Sequence, residues 1–267
     1  MGRAVRHDRE PRRAGESGVG LALRHDPERE RSELAAYLGD AYDEGRLRRW
    51  REQLEEEVAL VGDEATLYRT SEAYLYNLAA FAMTGTKDPY LSELVRALPR
   101  GARLLDYGCG IGSDGLLLLE AGYRVEFADF ESPSTRYLRW RLERRSLDAV
   151  VHDLDAGPPP GGYDLAYAFD VIEHADDPEG LLGLLEAQAG LVLVNLLEPA
   201  PGETVLHREL DVPALLARIS RRGLRRYRRY HGRSHLVLYD PRPAGVAGRL
   251  RSGAVRLRGS REHRRVR

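Results

Sequence analysis

The stretch 103–115 constrains the fold more than any other part of the chain. Its apolar residues 104–105 are typical of a short parallel strand that is covered on both faces. A turn containing Gly108, Gly110 and Gly112 follows, and then an apolar helix. Glycines permit positive φ and let the backbone approach a ligand, while the first N–H groups of a helix favour polar or anionic ligand groups. The stretch therefore predicts a strand, a turn and a helix that together bind a cofactor.

The glycine spacing by itself does not identify the cofactor. Gly110, Gly112 and Gly115 also satisfy the G-x-G-x-x-G spacing of a dinucleotide-binding fold. Asp129 ends the next predicted strand and suits either interpretation, because a carboxylate there can accept both ribose hydroxyls. The choice depends on features elsewhere in the chain.

Length and composition predict one catalytic domain with an extension at each end. The chain has 267 residues, of which 42% are apolar, and this is enough for one α/β core. Residues 1–31 lack a sustained apolar period and are expected to form a flexible leader. Apolar residues at helical spacing predict a helical extension over 32–87, before a catalytic fold over 88–240. The arginine-rich segment 241–267 is expected to be a disordered basic tail.

Several classes of protein are disfavoured by the composition. The single cysteine, Cys109, excludes an intrachain disulfide and a multi-cysteine zinc site. No signal peptide and no apolar stretch of membrane-spanning length is found, so a cytoplasmic protein is expected. Acidic residues interrupt the arginines, the formal net charge is -1, and no ordered basic patch with aromatics is evident outside the tail, so nucleic-acid binding is disfavoured.

Strands and helices alternate after residue 100. Further strands are predicted over 123–128, 149–152, 163–169 and 191–195, with helices between them. The last two strands, 224–230 and 235–239, are predicted to form an antiparallel hairpin. This order specifies a mostly parallel sheet with right-handed crossovers, which binds ligands at the carboxyl ends of its strands.

Four separated features resemble those of the class I S-adenosylmethionine-dependent methyltransferases. Residues 104–112 look like the first motif of that family, and Asp129 matches the acid after its second strand. Asp153 and Leu154 match the adenine-contact site after strand three, while 169–174, Phe-Asp-Val-Ile-Glu-His, look like the strand-four motif. The resemblance implies a Rossmann-like, seven-stranded α/β sheet with a reversed last strand, and S-adenosylmethionine as cofactor.

The resemblance also implies a role for each matched residue. Asp129 would bind the ribose diol and Phe130 would pack on the adenine. Asp153 would accept from the adenine amino group, with the backbone N–H of Leu154 beside it. Each aspartate has a competing role, because an Asp after a strand is also a common helix cap. The predicted cofactor-binding residues are Asp106, Gly108, Gly110, Gly112, Asp129, Phe130, Asp153, Leu154, Asp170, Tyr68 and Arg69.

Two histidines are candidates for the catalytic base. A hydroxyl acceptor must lose its proton, and His174 follows strand four with an ordinary pKa near neutrality. His207 is the second candidate because it follows strand five on the substrate side. The competing role of His174 is to orient the cofactor loop, and His231 and His235 are expected to be structural. Because Asp170, Glu173 and Glu198 lack a recognisable ligand spacing, no metal is predicted.

The aromatic residues of the extension indicate the kind of acceptor. Residues 68–76 form either a packed helix or a lid over the cofactor, and the tyrosines would suit a small or glycosylated specialised metabolite. O-methylation is the first hypothesis. N- or C-methylation, a non-catalytic cofactor-binding regulator and a nicotinamide-dependent oxidoreductase are the alternatives. The oligomeric state is not determined by the sequence.

Overall fold

A seven-stranded sheet forms the centre of the computed structural model, which describes residues 23–198, 206–245, 248, 251–256 and 258–259. The strand order is β3-β2-β1-β4-β5-β7-β6. Strands β1 to β5 are parallel, whereas β7 runs antiparallel to both of its neighbours. This confirms the predicted Rossmann-like sheet with a reversed last strand. The strands are β1 Arg103–Tyr107, β2 Arg124–Asp129, β3 Val151–Asp153, β4 Leu165–Ala168, β5 Val192–Leu197, β6 Arg222–Tyr230 and β7 Ser234–Pro243.

Helices cover both faces of the sheet and form the N-terminal extension. Most of them start at an Asp or Ser whose side chain accepts a backbone N–H of the first turn, as at Asp63, Ser71 and Ser132. The extension contains α1 Pro27–Leu38, α2 Glu44–Arg48, α3 Trp50–Val61, α4 Glu64–Thr70 and α5 Glu72–Met83. The remaining helices are α6 Asp88–Ala97, α7 Ser113–Glu120, α8 Pro133–Arg144, α9 Pro178–Gln188 and α10 Val212–Ser220, with short 3₁₀ turns at Gly39–Ala41 and Ile172–His174. No helix in the described ranges is long and apolar enough to cross a membrane.

Successive residues of each central strand point to opposite faces of the sheet, and both faces are buried. Leu104 belongs to the apolar cluster on one face, and its neighbour Leu105 belongs to the cluster on the other. In β4, Tyr167 belongs to the same cluster as Leu104, and Ala166 belongs to the same cluster as Leu105. Burial on both faces explains why these strands read as continuous apolar runs in the sequence.

The described parts of the expected leader and tail contain regular secondary structure. Helix α1 begins at Pro27, inside the expected leader 1–31, because Asp26 caps it and Pro27 suits its first turn. Residues 1–22 of that leader lie outside the described residues. In the expected tail 241–267, strand β7 continues to Pro243 and residues 251–256 are helical. Ser252 is buried there, with its hydroxyl donating to the carbonyl of Arg222 at 3.2 Å.

Candidate functional site

A cavity of about 1000 Å³ lies where the glycine turn after β1, the end of β2 and the end of β4 meet helices α3 to α5. The parallel strands end at this edge of the sheet, as expected for a ligand site in such folds. Its lining includes residues 107–111 of the turn, Asp129 and Phe130 at the end of β2, and four residues after β4, namely Asp170, Val171, Glu173 and His174. Residues that are distant in the sequence therefore share one cavity.

The glycine turn depends on the absence of side chains. Gly108, Gly110 and Gly112 have φ values of 69°, 53° and 70°. A Cβ on Gly112 would lie 2.3 Å from Cδ1 of the buried Leu138, and one on Gly108 would lie 2.6 Å from Cγ2 of Val171. Gly112 also precedes the first turn of α7. The turn is a cradle that brings bare backbone to the cavity.

Asp129 presents a fixed carboxylate to the cavity. Its Oδ2 accepts the backbone N–H of Gly110 at 2.7 Å, and its Oδ1 accepts the backbone N–H of Phe130 at 2.8 Å. Burial raises the pKa of this carboxyl, while the two N–H donors oppose the shift. Each oxygen has a second lone pair for a ligand hydroxyl. A rigid two-oxygen acceptor beside a glycine cradle and an aromatic ring fits an adenosyl group.

The adenine-contact residues predicted after β3 are placed differently from expectation. The backbone N–H of Leu154 donates to the carbonyl of Asp129 at 3.0 Å, so it already has a protein partner. Asp153 does not line the cavity, and its Oδ1 accepts the backbone N–H of Asp155 at 3.0 Å. The aspartate therefore stabilises its own turn, and in this described part of the chain no helix follows it that it could cap, which was the competing role. Leu154 does line the cavity, where it offers an apolar surface.

Arg69 and Phe130 form the rim of the cavity near Asp129. The guanidinium of Arg69 lies 4.4 Å from the ring centroid of Phe130 and also pairs with Asp155. Phe130 is 38% exposed. Because α4 supplies the arginine and β2 leads to the phenylalanine, this contact joins the extension to the catalytic fold.

Lys87 and Asp106 lie near the glycine turn, and Lys87 lines the cavity. Lys87 is the only lysine of the chain, and its Nζ lies 3.5 Å from Asp114 and 3.6 Å from Asp170. Burial lowers the pKa of Lys87, but those carboxylates raise it more, so the ammonium stays charged. Asp106 does not line the cavity and is 4% exposed, and burial raises its pKa to about 8. Sequence reasoning did not identify Lys87, although its uniqueness was visible.

His174 is held in one orientation on the other side of the cavity. Its Nδ1 lies 3.0 Å from the carbonyl oxygen of Leu206 and 2.8 Å from the hydroxyl oxygen of Tyr68. Since a carbonyl only accepts, Nδ1 carries the hydrogen, and in the neutral ring Nε2 carries the lone pair. The hydroxyl of Tyr68 donates in turn to Glu64 at 2.9 Å. Burial lowers the pKa of His174, while Glu64 and other acceptors raise it overall.

Glu173 and His207 adjoin His174. The rings of the two histidines are 4.9 Å apart. Glu173 is 1% exposed, and neither of its carboxylate oxygens has a hydrogen-bond partner among the described residues. Burial and the neighbouring Asp170 raise the pKa of Glu173 to about 7, whereas burial and His174 lower the pKa of His207 to about 4. All three side chains line the cavity.

Asp170 is held in place by Asn195 of the neighbouring strand β5. It has a positive φ of 57°, donates its N–H to Oδ1 of Asn195 at 2.8 Å, and accepts Nδ2 of Asn195 at 2.7 Å. Positive φ is uncommon for a residue other than glycine, so the paired contact with Asn195 holds a strained backbone at the cavity.

Other side chains depart from their expected places. His231 was expected to be structural, but it lines the cavity, and its Nε2 lies 3.0 Å from the carbonyl oxygen of Thr86. His235 lies away from the cavity and contacts Tyr227 and Glu198. Tyr68, Tyr74 and Tyr90 line the cavity, whereas Tyr76 does not. The hairpin turn reaches the cavity because β7 inserts beside β5.

Comparisons with known proteins agree with this geometry. A family model described as a methyltransferase domain matches residues 82–242, which is more than half of the chain. Polyketide synthase ThaQ from Burkholderia thailandensis is 35% identical over 92 residues, which are 32% of this chain and only 4% of that synthase.

Two solved structures share the fold. Magnesium protoporphyrin IX methyltransferase from Synechocystis PCC 6803, with bound SAH, has a TM-score of 0.53 and 14% identity, over 79% of this chain and 99% of that one. The pyocyanin biosynthetic protein PhzM has a TM-score of 0.51 and 16% identity, over 80% of this chain and 72% of that one. At these identities the likeness concerns the fold alone.

Proposed function

The chain belongs to the methyltransferase-domain family, within the class I S-adenosylmethionine-dependent methyltransferases, and from this we propose that it methylates a hydroxyl group of a small, specialised metabolite. S-adenosylmethionine is the cofactor, and it supplies a methyl group that its sulfonium already activates. The protein has to position the acceptor oxygen, exclude water and receive a proton. Each of these tasks can be assigned to residues that line the cavity.

The cofactor side of the cavity is proposed to hold the nucleoside and the amino-acid end separately. Asp129 accepts the two ribose hydroxyls, and Phe130 packs on the adenine with Leu154 as an apolar neighbour. Lys87 provides a positive charge near the glycine turn for the carboxylate of the methionine end. The anchoring of Asp129 by two backbone N–H groups supports its role, because an oriented acceptor loses little entropy on binding.

Space for an acceptor remains beside the cofactor. Pockets for one small ligand usually measure about 300 to 1000 Å³, and this cavity lies at the upper end of that range. Trp50, Tyr74 and Phe81 from the extension line it, which favours an acceptor with an aromatic or sugar ring. The similarity to a segment of a polyketide synthase supports an acceptor from specialised metabolism.

The orientation of His174 is the observation on which the hydroxyl assignment rests. Because Nδ1–H donates to the Leu206 carbonyl, Nε2 is the nitrogen that can take a proton from the acceptor. His207 lies beside it on the same wall and is the second candidate to receive the proton. A methyl transfer to an amine that is already neutral would need no such group.

The test separates cofactor binding from turnover. Titration calorimetry with S-adenosylhomocysteine measures the first, and mass spectrometry of a panel of phenols, polyketides and glycosides measures the second. His174→Ala should abolish O-methylation and leave the dissociation constant of S-adenosylhomocysteine within about threefold of the wild-type value. His152→Ala is the matched control, because His152 pairs with Glu126 outside the cavity and should keep normal turnover. Near-normal O-methylation by His174→Ala would reject His174 as the base. Methylation of nitrogen or carbon alone would reject the assignment of a hydroxyl acceptor.

A further inference from the structure

The wall that faces the acceptor contains three groups of the kind that bind transition metals. Glu173, His174 and His207 each offer one donor atom, and these atoms lie within 4.8 Å of one another. Ligand atoms of a zinc-type site, at about 2.1 Å from the ion, are roughly 3.4 Å apart. Side-chain movements of about 1 Å therefore suffice to bring the three donor atoms to the spacing of a metal site. We propose that Glu173, His174 and His207 bind a divalent transition-metal ion such as Zn²⁺ or Mn²⁺.

The environment of Glu173 is the first independent support. Its side chain is buried with 1% exposure, and in the described part of the chain neither carboxylate oxygen accepts a hydrogen bond. Leaving a buried charged group without a partner costs several kcal/mol. A divalent cation would satisfy both the charge and the lone pairs of this carboxylate.

The hydrogen bonds of His174 are the second support. A histidine that binds a metal usually donates its other ring N–H to a carbonyl or carboxylate, which fixes the tautomer. Nδ1 of His174 has that arrangement, with the Leu206 carbonyl at 3.0 Å and the Tyr68 hydroxyl at 2.8 Å. Glu64 stands behind Tyr68 and completes an outer shell. The nitrogen left for a metal is Nε2.

The sequence prediction of no metal was based on Asp170, Glu173 and Glu198. Glu198 lies elsewhere, because it pairs with His235 and Arg229. Only folding brings His207 beside Glu173, since 33 residues separate them in the chain. The ligand set that the structure gathers is one carboxylate and two imidazoles, which suits zinc and other first-row divalent ions.

The chemical role of the ion rests on the proposed function. Three protein ligands leave a position open toward the cavity, where an acceptor hydroxyl can bind. A cation there lowers the pKa of that hydroxyl, so the O–H bond breaks and the proton leaves to water. The oxygen then forms a bond to the methyl carbon as the carbon–sulfur bond breaks, which yields S-adenosylhomocysteine. With the ion bound, Nε2 of His174 is a ligand and water takes the proton that the metal-free route gives to His174.

Metal binding is tested first, without cofactor or acceptor. Untagged full-length protein is stripped with a chelator and titrated with ZnCl₂ and MnCl₂ in a calorimeter, and bound metal is counted by mass spectrometry. One ion per chain is expected, with at least tenfold weaker binding in Glu173→Gln and in His207→Ala. His152→Ala is the control with unchanged affinity, and circular dichroism establishes that each variant is folded. Cobalt substitution adds a visible absorption band that both variants should lose. The site would be overturned if the wild type did not bind one ion per chain, or if Glu173→Gln and His207→Ala bound the metal as tightly as the wild type.

Turnover then distinguishes the two proposals. Loss of O-methylation on chelation, with recovery on adding metal, supports the ion. Chelator-resistant O-methylation that still requires His174 rejects the catalytic metal and leaves the hydroxyl methyltransferase with a direct imidazole base. Stoichiometric metal binding in a protein that methylates no hydroxyl rejects the proposed function and keeps the metal site.

Discussion

Replacing Arg141 by methionine should detach the first helix of the extension from the glycine turn. Arg141 is completely buried on α8. Its guanidinium donates to Glu30 at 2.6 Å and Glu33 at 2.8 Å, both on α1. It also donates to the carbonyl of Ile111 at 3.0 Å and to the hydroxyl of Ser113 at 2.8 Å, both beside the turn. One side chain thus links α1, α8 and the start of α7.

The expected loss follows from the groups that remain. Glu33 keeps Arg145 as a partner, but Glu30 is 4% exposed and, among the described residues, would keep only the Ser113 hydroxyl as a hydrogen-bond partner, at 3.0 Å. Breaking a buried ion pair from one side costs about 3 to 5 kcal/mol, because a charge is left without a partner. In a chain of this size that corresponds to a fall of about 10 °C in the melting temperature.

Urea unfolding followed by circular dichroism measures this loss. Arg136→Met on the same helix is the control, since Arg136 is exposed and only reaches Glu131 at 3.8 Å, so less than about 1 kcal/mol is expected. In a Glu30→Gln background, Arg141→Met should cost less, because no carboxylate is orphaned. Equal losses for Arg141→Met and Arg136→Met would refute the reasoning.

Three further predictions concern the cavity and its support. Asp129→Asn keeps the shape but loses the charge of the ribose acceptor, so calorimetry should show about 10- to 100-fold weaker S-adenosylhomocysteine binding. Gly112→Ala places a methyl group at positive φ against Leu138 and should destabilise the fold by about 1 to 3 kcal/mol in urea, whereas Gly183→Ala, which has open space on α9, should not. Because the pKa of Asp106 is raised from 3.8 to about 8, the unfolded chain releases this proton at lower pH than the folded chain. As the pH rises from 5 to 7, the free energy of unfolding of the wild type should therefore fall by about 1.4 kcal/mol per pH unit relative to that of Asp106→Asn, as measured by urea unfolding at each pH. A difference between the two proteins that stays constant over this pH range would contradict the prediction.

The fold was predictable because its signals are local. Apolar runs of strand length, a turn with three glycines, and Asp or Ser at helix starts each act within a few residues. The hairpin of β6 and β7 was visible for the same reason, since a Gly-containing turn separates two strand-like runs. The regular alternation of these elements then leaves few topologies for the sheet.

The site was only partly predictable because its contacts are not local. A carboxylate after a strand either binds a ligand or caps a turn, and the sequence is the same in both cases. Asp129 faces the cavity, whereas Asp153 holds the turn at Asp155. The approach of His207 to Glu173 and of His231 to the cavity depends on how loops cross the edge of the sheet. The spacing of residues along the chain therefore does not predict the positions of these two histidines.

The extension and the catalytic fold depend on each other for stability. Helices of five and seven residues, such as α2 and α4, are too short to persist alone in water, so tertiary contacts must hold them. Those contacts include Arg69 on Phe130 and Tyr68 on His174, which both lie at the cavity. A ligand that packs against Phe130 or His174 therefore also favours the folded form of α4. By linkage, the free energy by which the ligand favours docked α4 equals the free energy by which docked α4 strengthens ligand binding, so complete undocking of α4 weakens the ligand by that amount.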